Sequence, residues 1–298
     1  MYSTLMKLFG SLHEFFRSHE IIYSLFATIL LLSVFFVVIY FFEARRGADK
    51  KRYLSKNFAI DLAYNLFYRG GLFTFFIYAP IMSILQPRLT IFDAHLVTYL
   101  PLPLAWIAYF VMIDFIGYWY HRLEHTNQFL WAFHSLHHSQ VQMTFMTSYR
   151  NHFVEQAILS LMMFIPVSLL GVPQKVWLPV TFLMTFHQAV QHADLEWRFG
   201  FLYPVLASPV FHSIHHSVDP AHRDRNFGML LTCWDYLFGT AVKVRERPKA
   251  FGVEGWNFPE SLIQHTIAPF KMLYDARDEK VNRRDSLFDL TSEKPPRV

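Results

Sequence analysis

The chain has 298 residues, 53% of them hydrophobic and 18% aromatic, with a positive mean hydropathy and a formal charge of +4. Apolar residues at this density, clumped into long runs, exclude an ordinary soluble domain and point to a membrane protein. The basic excess needs no nucleic-acid partner, because Lys and Arg gather in loops suited to anionic headgroups, and a lone cysteine, Cys233, excludes an internal disulfide and reads as a small buried hydrophobe.

In chain order, the first element is residues 21–42, IIYSLFATILLLSVFFVVIYFF, twenty-two residues without a charge, matching the roughly 20 needed to cross a bilayer as helix. Glu14, Arg17 and Glu20 precede it and no small-residue cleavage site follows, so it reads as a retained anchor. Further apolar segments cover 58–85, 102–120, 153–170 and 172–190, the last two parted only by the turn Gly171-Val172-Pro173, as in a helical hairpin. The expected fold is an all-α, polytopic membrane helical bundle of about four to five spans with a cytosolic histidine-rich helical cap. Arg45, Arg46, Lys50, Lys51, Arg52 and Lys56 crowd the first loop, which places it in the cytosol. Alternation then puts 121–152 and everything after about 191 on the cytosolic side too, and the latter region holds fourteen of the twenty-seven Lys and Arg. Charge and proline after about Asp275 predict a partly disordered end.

Sixteen histidines are present, twelve of them between 121 and 222. They fall as His121-x3-His125, His134-x2-His137-His138 and His212-x2-His215-His216, the five-residue pattern HSLHH recurring as HSIHH. On a helix, residues three and four apart share a face with Cβ atoms about 5–6 Å apart, close enough for two imidazoles to grip one metal at roughly 2.0–2.1 Å. Eight such ligands exceed one ion's usual complement, so the spacing predicts two metals. The three motifs also share the cytosolic side, and His187 and His192, which end the fifth span there, complete the candidate ligands. A hydrolytic zinc site wants H-E-x-x-H, whereas the chain offers HRLEH at 121–125. Imidazole alone suits zinc, copper, iron and nickel, so the residues leave the metal open.

The surrounding residues narrow the choice. DFIGYWYHRLEH at 114–125, FHSLHHS at 133–139, RNHFVE at 150–155, HADL at 192–195 and FHSIHHSVDPAHRDRNFGMLLTCWDYLFGT at 211–240 resemble the fatty acid hydroxylase/sterol desaturase superfamily of membrane di-iron oxygenases, over about residues 105–245. Phe153 stands where members often have Pro, and Asp194 where they often have Asn. The resemblance implies a membrane-bound, O2-dependent hydroxylase or monooxygenase, an oxidoreductase acting on a C–H bond of a lipid drawn from the bilayer. It further implies two iron ions, replaceable by zinc, and a separate electron-donor protein. A lipid or sterol desaturase with the same metal site is the alternative. A metal transporter is disfavoured, since its ligands belong near mid-bilayer. The implied organisation is anchor helices over 1–100, a catalytic domain over 101–245 and a cytosolic C-terminal extension over 246–298. The lipid and the oligomeric state stay open.

Behind the ligands, Asp114, Tyr118, His121 and His125 share one helix face, making Asp114 a candidate partner for an imidazole N–H. Glu155 and Asp194 are similar candidates, and His152 can be a ligand, a support or a helix cap. Arg150 and Arg198 can meet a headgroup or snorkel. His222, Asp224, Arg225 and Asp235 are expected to order the loop after the third motif. His13, His19, His95 and His265 read as ordinary surface residues.

Overall fold

The computed structural model describes residues 20–46, 49–89, 96–243, 246–254, 256, 258 and 261–291; His13, His19 and His95 lie outside them. The described residues are all-helical, with no strand and two isolated antiparallel bridges, Leu206–Leu231 and Ser217–Phe251. Helix α1, Glu20–Arg46, contains the whole uncharged run and ends on Arg45 and Arg46, cations that suit the negative end of the helix dipole. Ser55 caps α2, Lys56–Arg69, by accepting the Phe58 N–H at 3.1 Å. The apolar run then bends by 49° into Thr74–Leu85. Gly71, at φ 89, supplies the turn, in a region that a side chain would strain. The π-turn Thr74–Tyr78 leads into α3, Ala79–Leu89.

Helix α4, Leu102–Thr126, begins with proline in its first turn, where the missing N–H costs nothing. It is unbent, long and apolar enough to cross a membrane, and the bent pair passes the same test jointly. Leu104, Ile107, Val111, Phe115 and Trp119 are exposed along it as an apolar face. Asn127 ends α4 and caps α5, Gln128–His138, through the Phe129 and Leu130 N–H groups. Helices α6, Phe153–Leu169, and α7, Gln174–His192, form the expected hairpin around Gly171 at φ 59. Short helices α8, Pro209–His215, and α9, Cys233–Leu237, precede α10, Leu262–Thr291, which packs on α5.

Two apolar clusters set the frame. Phe35 and Ile39 of α1 pack with Phe145, Met146 and Ala189, fastening the anchor to the end of α7. Ala105, Tyr109 and Ile113 of α4 pack with Val172, Val176 and Val180, fastening α4 to the hairpin.

Several expectations need correction. Arg150 meets no headgroup: it is 1% exposed and its Nε donates to Asp61 at 2.5 Å, while Gln140 donates to the other Asp61 oxygen at 2.7 Å. A guanidinium cannot be left unpaired in an apolar interior, so the acid buried in α2 draws it inward. Cys233 is exposed, because it opens α9 with its side chain turned outward. His265 is buried, its ring lying near parallel to Tyr64 at 6.0 Å.

The Asp61–Arg150 pair yields a stability test. Arg150→Met or Asp61→Leu alone should cost about 3–5 kcal/mol by stranding a buried charge, and the double replacement should recover most of that. Thermal unfolding of matched preparations in one detergent measures it.

Candidate metal centre

Each histidine motif sits on a short helical turn that a local signal starts or stops. His121 and His125 occupy the last turns of α4. His134, His137 and His138 end α5, and His212 and His215 fall on α8, whose Ser208 cap accepts the Phe211 N–H at 3.1 Å. His192 ends α7.

Folding brings nine of the ten candidate ligands into two groups. His121, His125, His134, His138 and His215 offer one nitrogen each within 4.8 Å of one another, and His137, His192, His212 and His216 do the same. The groups abut, the rings of His138 and His216 stacking at 4.4 Å. The tenth, His187, joins neither. It lies five residues, about 1.4 turns, before His192, packs against Phe199 at 6.2 Å and hydrogen-bonds toward the Ala207 backbone, and its Nε2 is buried without a hydrogen-bond partner.

The internal geometry fits a pair of cations. Nε2 of His138 lies 3.2 Å from Nε2 of both His125 and His134, and Nε2 of His192 lies 3.2 Å from that of His137 and 2.9 Å from that of His212. Two nitrogens at 2.0–2.1 Å from one ion, at angles near 90–110°, stand about 2.9–3.4 Å apart. Moreover, the outer nitrogens fix the tautomer. Nδ1–H donates to a backbone carbonyl in His121 (Phe227, 3.0 Å), His215 (Arg225, 2.9 Å) and His192 (Gln188, 2.7 Å), and to the Glu155 carboxylate in His134 (2.9 Å). A carbonyl cannot donate, so Nδ1 holds the proton and Nε2 turns its lone pair to the centre. Nε2 of His121 and of His215 is buried without a hydrogen-bond partner. Burial first, and neighbouring imidazoles second, hold His138, His212 and His216 well below the usual imidazole range. They are neutral, as ligands must be.

A single strip of α4 builds the wall behind the first group. Asp114 accepts the Leu230 N–H at 2.9 Å and the Trp234 indole N–H at 2.8 Å, Gly117 leaves room for Met229, the Tyr118 hydroxyl meets Thr240 at 2.9 Å, and His121 takes the Phe227 carbonyl. The expectation that Asp114 orients an imidazole is therefore corrected: it is spent on three backbone and indole donors of the loop, and reaches His121 only through that loop. Asp235 closes the same loop by accepting the Phe227 and Gly228 N–H groups at 2.8 and 2.7 Å. His222 donates to, or accepts from, Ser217 at 2.9 Å, and Asp224 stands 3.4 Å from His125.

His152 caps α6, and Glu155 closes the capping box with one oxygen while its other holds His134. Asp194 touches no histidine; Arg46 at 3.0 Å, Arg52 at 2.6 Å and Arg247 at 3.4 Å surround it. Burial alone would raise its carboxyl, but Arg247, Arg52 and Arg46 outweigh that and hold it below the ordinary range. Three buried acids escaped the sequence reading, among them Glu43, which accepts the Asp194 N–H at 2.8 Å. Glu124 stands 3.5 Å from His134 Nδ1, and Asp61 anchors Arg150. The signal for each was an acid inside an apolar or histidine-bearing helix.

Comparison with known proteins agrees with this chemistry. Residues 106–240 match the fatty acid hydroxylase family. The chain is 31% identical over 186 residues to ornithine lipid hydroxylase OlsE of Rhizobium tropici, covering 60% of this chain and 56% of that protein. It is 31% identical over 145 residues to alkylglycerol monooxygenase of Xenopus tropicalis (49% and 32% covered), and 26% identical over 182 residues to methylsterol monooxygenase 1-3 of Arabidopsis thaliana (60% and 56% covered). The chain thus spans 32–56% of the length of these relatives. No solved structure matches it.

Metal stoichiometry tests the grouping. Protein purified from iron- or zinc-supplemented cells should hold about two ions per chain, His216→Ala about one, and His187→Ala or His222→Ala about two. Elemental analysis on protein-normalised samples reads the result.

Proposed function

We propose, because residues 106–240 match the fatty acid hydroxylase family, that the chain is a multi-pass membrane oxidoreductase that uses O2 to hydroxylate a C–H bond of a lipid at two histidine-held iron ions. The observation that carries this reading is the junction of the two imidazole groups with a cavity of about 650 Å³ walled by α4, α6 and α7. His121, His134, His137, His192 and His212 open onto it. Such a chamber admits a chain from the bilayer while its apolar walls keep bulk water off the reacting atoms.

His121, His125, His134, His138 and His215 hold one ion and His137, His192, His212 and His216 the other. When bound, the iron pair supplies the redox capacity to activate O2. The reaction balances as R–H, O2, two electrons and two protons giving R–OH and water. The protein keeps its imidazoles neutral and aimed, through the Phe227, Arg225 and Gln188 carbonyls and Glu155. Electrons come from a donor protein, since the lone cysteine of this sequence cannot build an iron–sulfur cluster, which takes at least two thiolates. Hydroxylation is favoured over desaturation by the hydroxylase and monooxygenase names of the relatives.

The centre faces the cytosol. Arg46 and Arg52 of the basic first loop pair with Asp194, two residues beyond His192, so that loop and the metal end share one side of the bundle. Basic loops stay cytosolic.

The reading is tested by expressing the wild type and His137→Ala/His215→Ala at matched levels under 18O2 and analysing total lipids. A lipid that gains one 18O atom only with the wild type is the expected result; identical lipid profiles would overturn the reading, and a wild-type-specific loss of two hydrogens would replace hydroxylation by desaturation.

A further inference from the structure

Part of the chain after residue 191 does not stay at the level of the metal centre. Asp114 sits at the middle of α4, eleven residues before His125 and so about 16 Å down the helix from its metal end. There it accepts the Leu230 and Leu231 N–H groups at 2.9 and 3.2 Å and the Trp234 indole N–H at 2.8 Å. Helix α7 gives a second measure, because the Ala207 backbone bonds to His187, about 7.5 Å from His192 toward the hairpin turn. The two limbs of the loop descend together: the Thr232 N–H donates to the Val205 carbonyl at 2.9 Å and the Ala207 N–H to the Leu230 carbonyl at 2.8 Å.

Their outer side is apolar. Residues 199–218 include no Asp, Glu, Lys or Arg, and within 226–242 the sole such residue, Asp235, is buried. Phe201 is 87% exposed, Leu237 is 68% exposed, and Val205 is open as well. The patch continues the exposed face of α4, since the Trp234 ring meets Phe115 and the Phe238 ring meets Trp119, both at 4.9 Å. Cys233 and Leu237, four apart on α9 and both exposed, share its outward side. Arg122, one turn nearer the metal end, holds its guanidinium 5.3 Å over Trp119, as a cation does when it reaches for headgroups past an interfacial aromatic ring.

Hydrogen bonding points the same way. A loop in water can leave its N–H groups to the solvent, but this one engages them with buried carboxylates. Besides the donors on Asp114, Asp235 takes the Phe227 and Gly228 N–H groups and, at 2.6 Å, the Thr240 hydroxyl. Irregular backbone is tolerated at membrane depth where protein satisfies its polar groups, and two buried acids spent on one short loop meet that condition.

We infer that residues 199–207 and 228–238 form a re-entrant platform seated among the acyl chains of the cytosolic leaflet, with Phe201, Val205, Cys233 and Leu237 against lipid. The inference rests on the membrane assignment in the proposed function and is independent of the reaction.

Cys233 is the sole cysteine of the sequence, so the full chain takes a thiol probe at this site alone. Bimane attached to Cys233, with the protein then reconstituted in phosphatidylcholine vesicles, should be quenched more by doxyl groups along the acyl chains than by a headgroup spin label or by iodide. In unsealed membranes a sulfonated maleimide should react with Cys233 about tenfold more slowly than with Glu254→Cys in a Cys233→Ser chain, since Glu254 is exposed in a charged pair with Arg223. Phe201→Cys in the same Cys233→Ser chain should repeat the Cys233 result, and metal content equal to wild type certifies that the variants are folded. Stronger quenching by iodide or the headgroup label, or labelling as fast as at Glu254→Cys, overturns the inference. So does a thiol that is shielded yet unquenched by acyl-chain doxyl groups, because a second copy of the chain then covers the patch. An oxygenated lipid product with a water-exposed Cys233 would sink the inference alone, and a lipid-seated Cys233 in a chain that oxygenates no lipid would sink the proposed reaction alone.

Discussion

Lone pairs do not attract one another, yet here nine imidazoles turn nitrogens inward at separations as short as 2.9 Å. Cations bound between them would resolve that repulsion, and much of the architecture serves the convergence. Four of the aimed rings have their outer N–H engaged, so the Glu155 carboxylate and the carbonyls of Phe227, Arg225 and Gln188 must stand at fixed places. Those carbonyls in turn require an ordered loop after the third motif, and Asp114 and Asp235 supply it with their hydrogen bonds to loop N–H groups. The left-handed backbone at Asp224 and Asn226 belongs to the same device, with the Asn226 amide bound to the Phe211 and Val242 carbonyls. An acid deep in a membrane helix is thus explained by a loop, and the loop by a histidine.

The doubled motif has a geometric reason. In H-x-x-H-H the first and last histidines are four apart and the middle one three from the first. His134 and His138 go to one group and His137 to the other, while His212 and His216 go to the second group and His215 to the first. Each helix thus reaches both groups, and the two helices do so with opposite shares. A motif with a single i, i+4 pair serves one ion; the extra histidine stitches each helix to its neighbour's site.

The all-helical class, the hairpin about Gly171 and the convergence of the three motifs were legible because periodicity and spacing carry them. Partners across the structure were not. Spacing correctly put Asp114 and His121 on one face of α4, but that face meets a loop, whose hydrogen bonds claim the carboxylate first. Spacing also placed His187 on the correct side of the bundle, and only the rotation of α7 directs His192 inward instead. Glu124 and Asp61 could have been suspected as buried acids, yet nothing local names His134 or Arg150 as their partners. Cys233 and His265 exchanged their expected environments for the same reason, since exposure depends on what packs opposite.

The interleaving of the groups also sets an order of assembly. The first group lacks His215, and the second lacks His212 and His216, until the chain has grown past residue 216. During synthesis the helices bearing His121, His134 and His192 therefore exist before either ion has its full set of donors. Their early stability must come from the apolar contacts of α1, α4 and the hairpin. The helix from Pro209 to His215, seven residues long, is the last of the helices that carry the two groups to be made. Until residue 216 has been made, an ion would find an incomplete cage in either group.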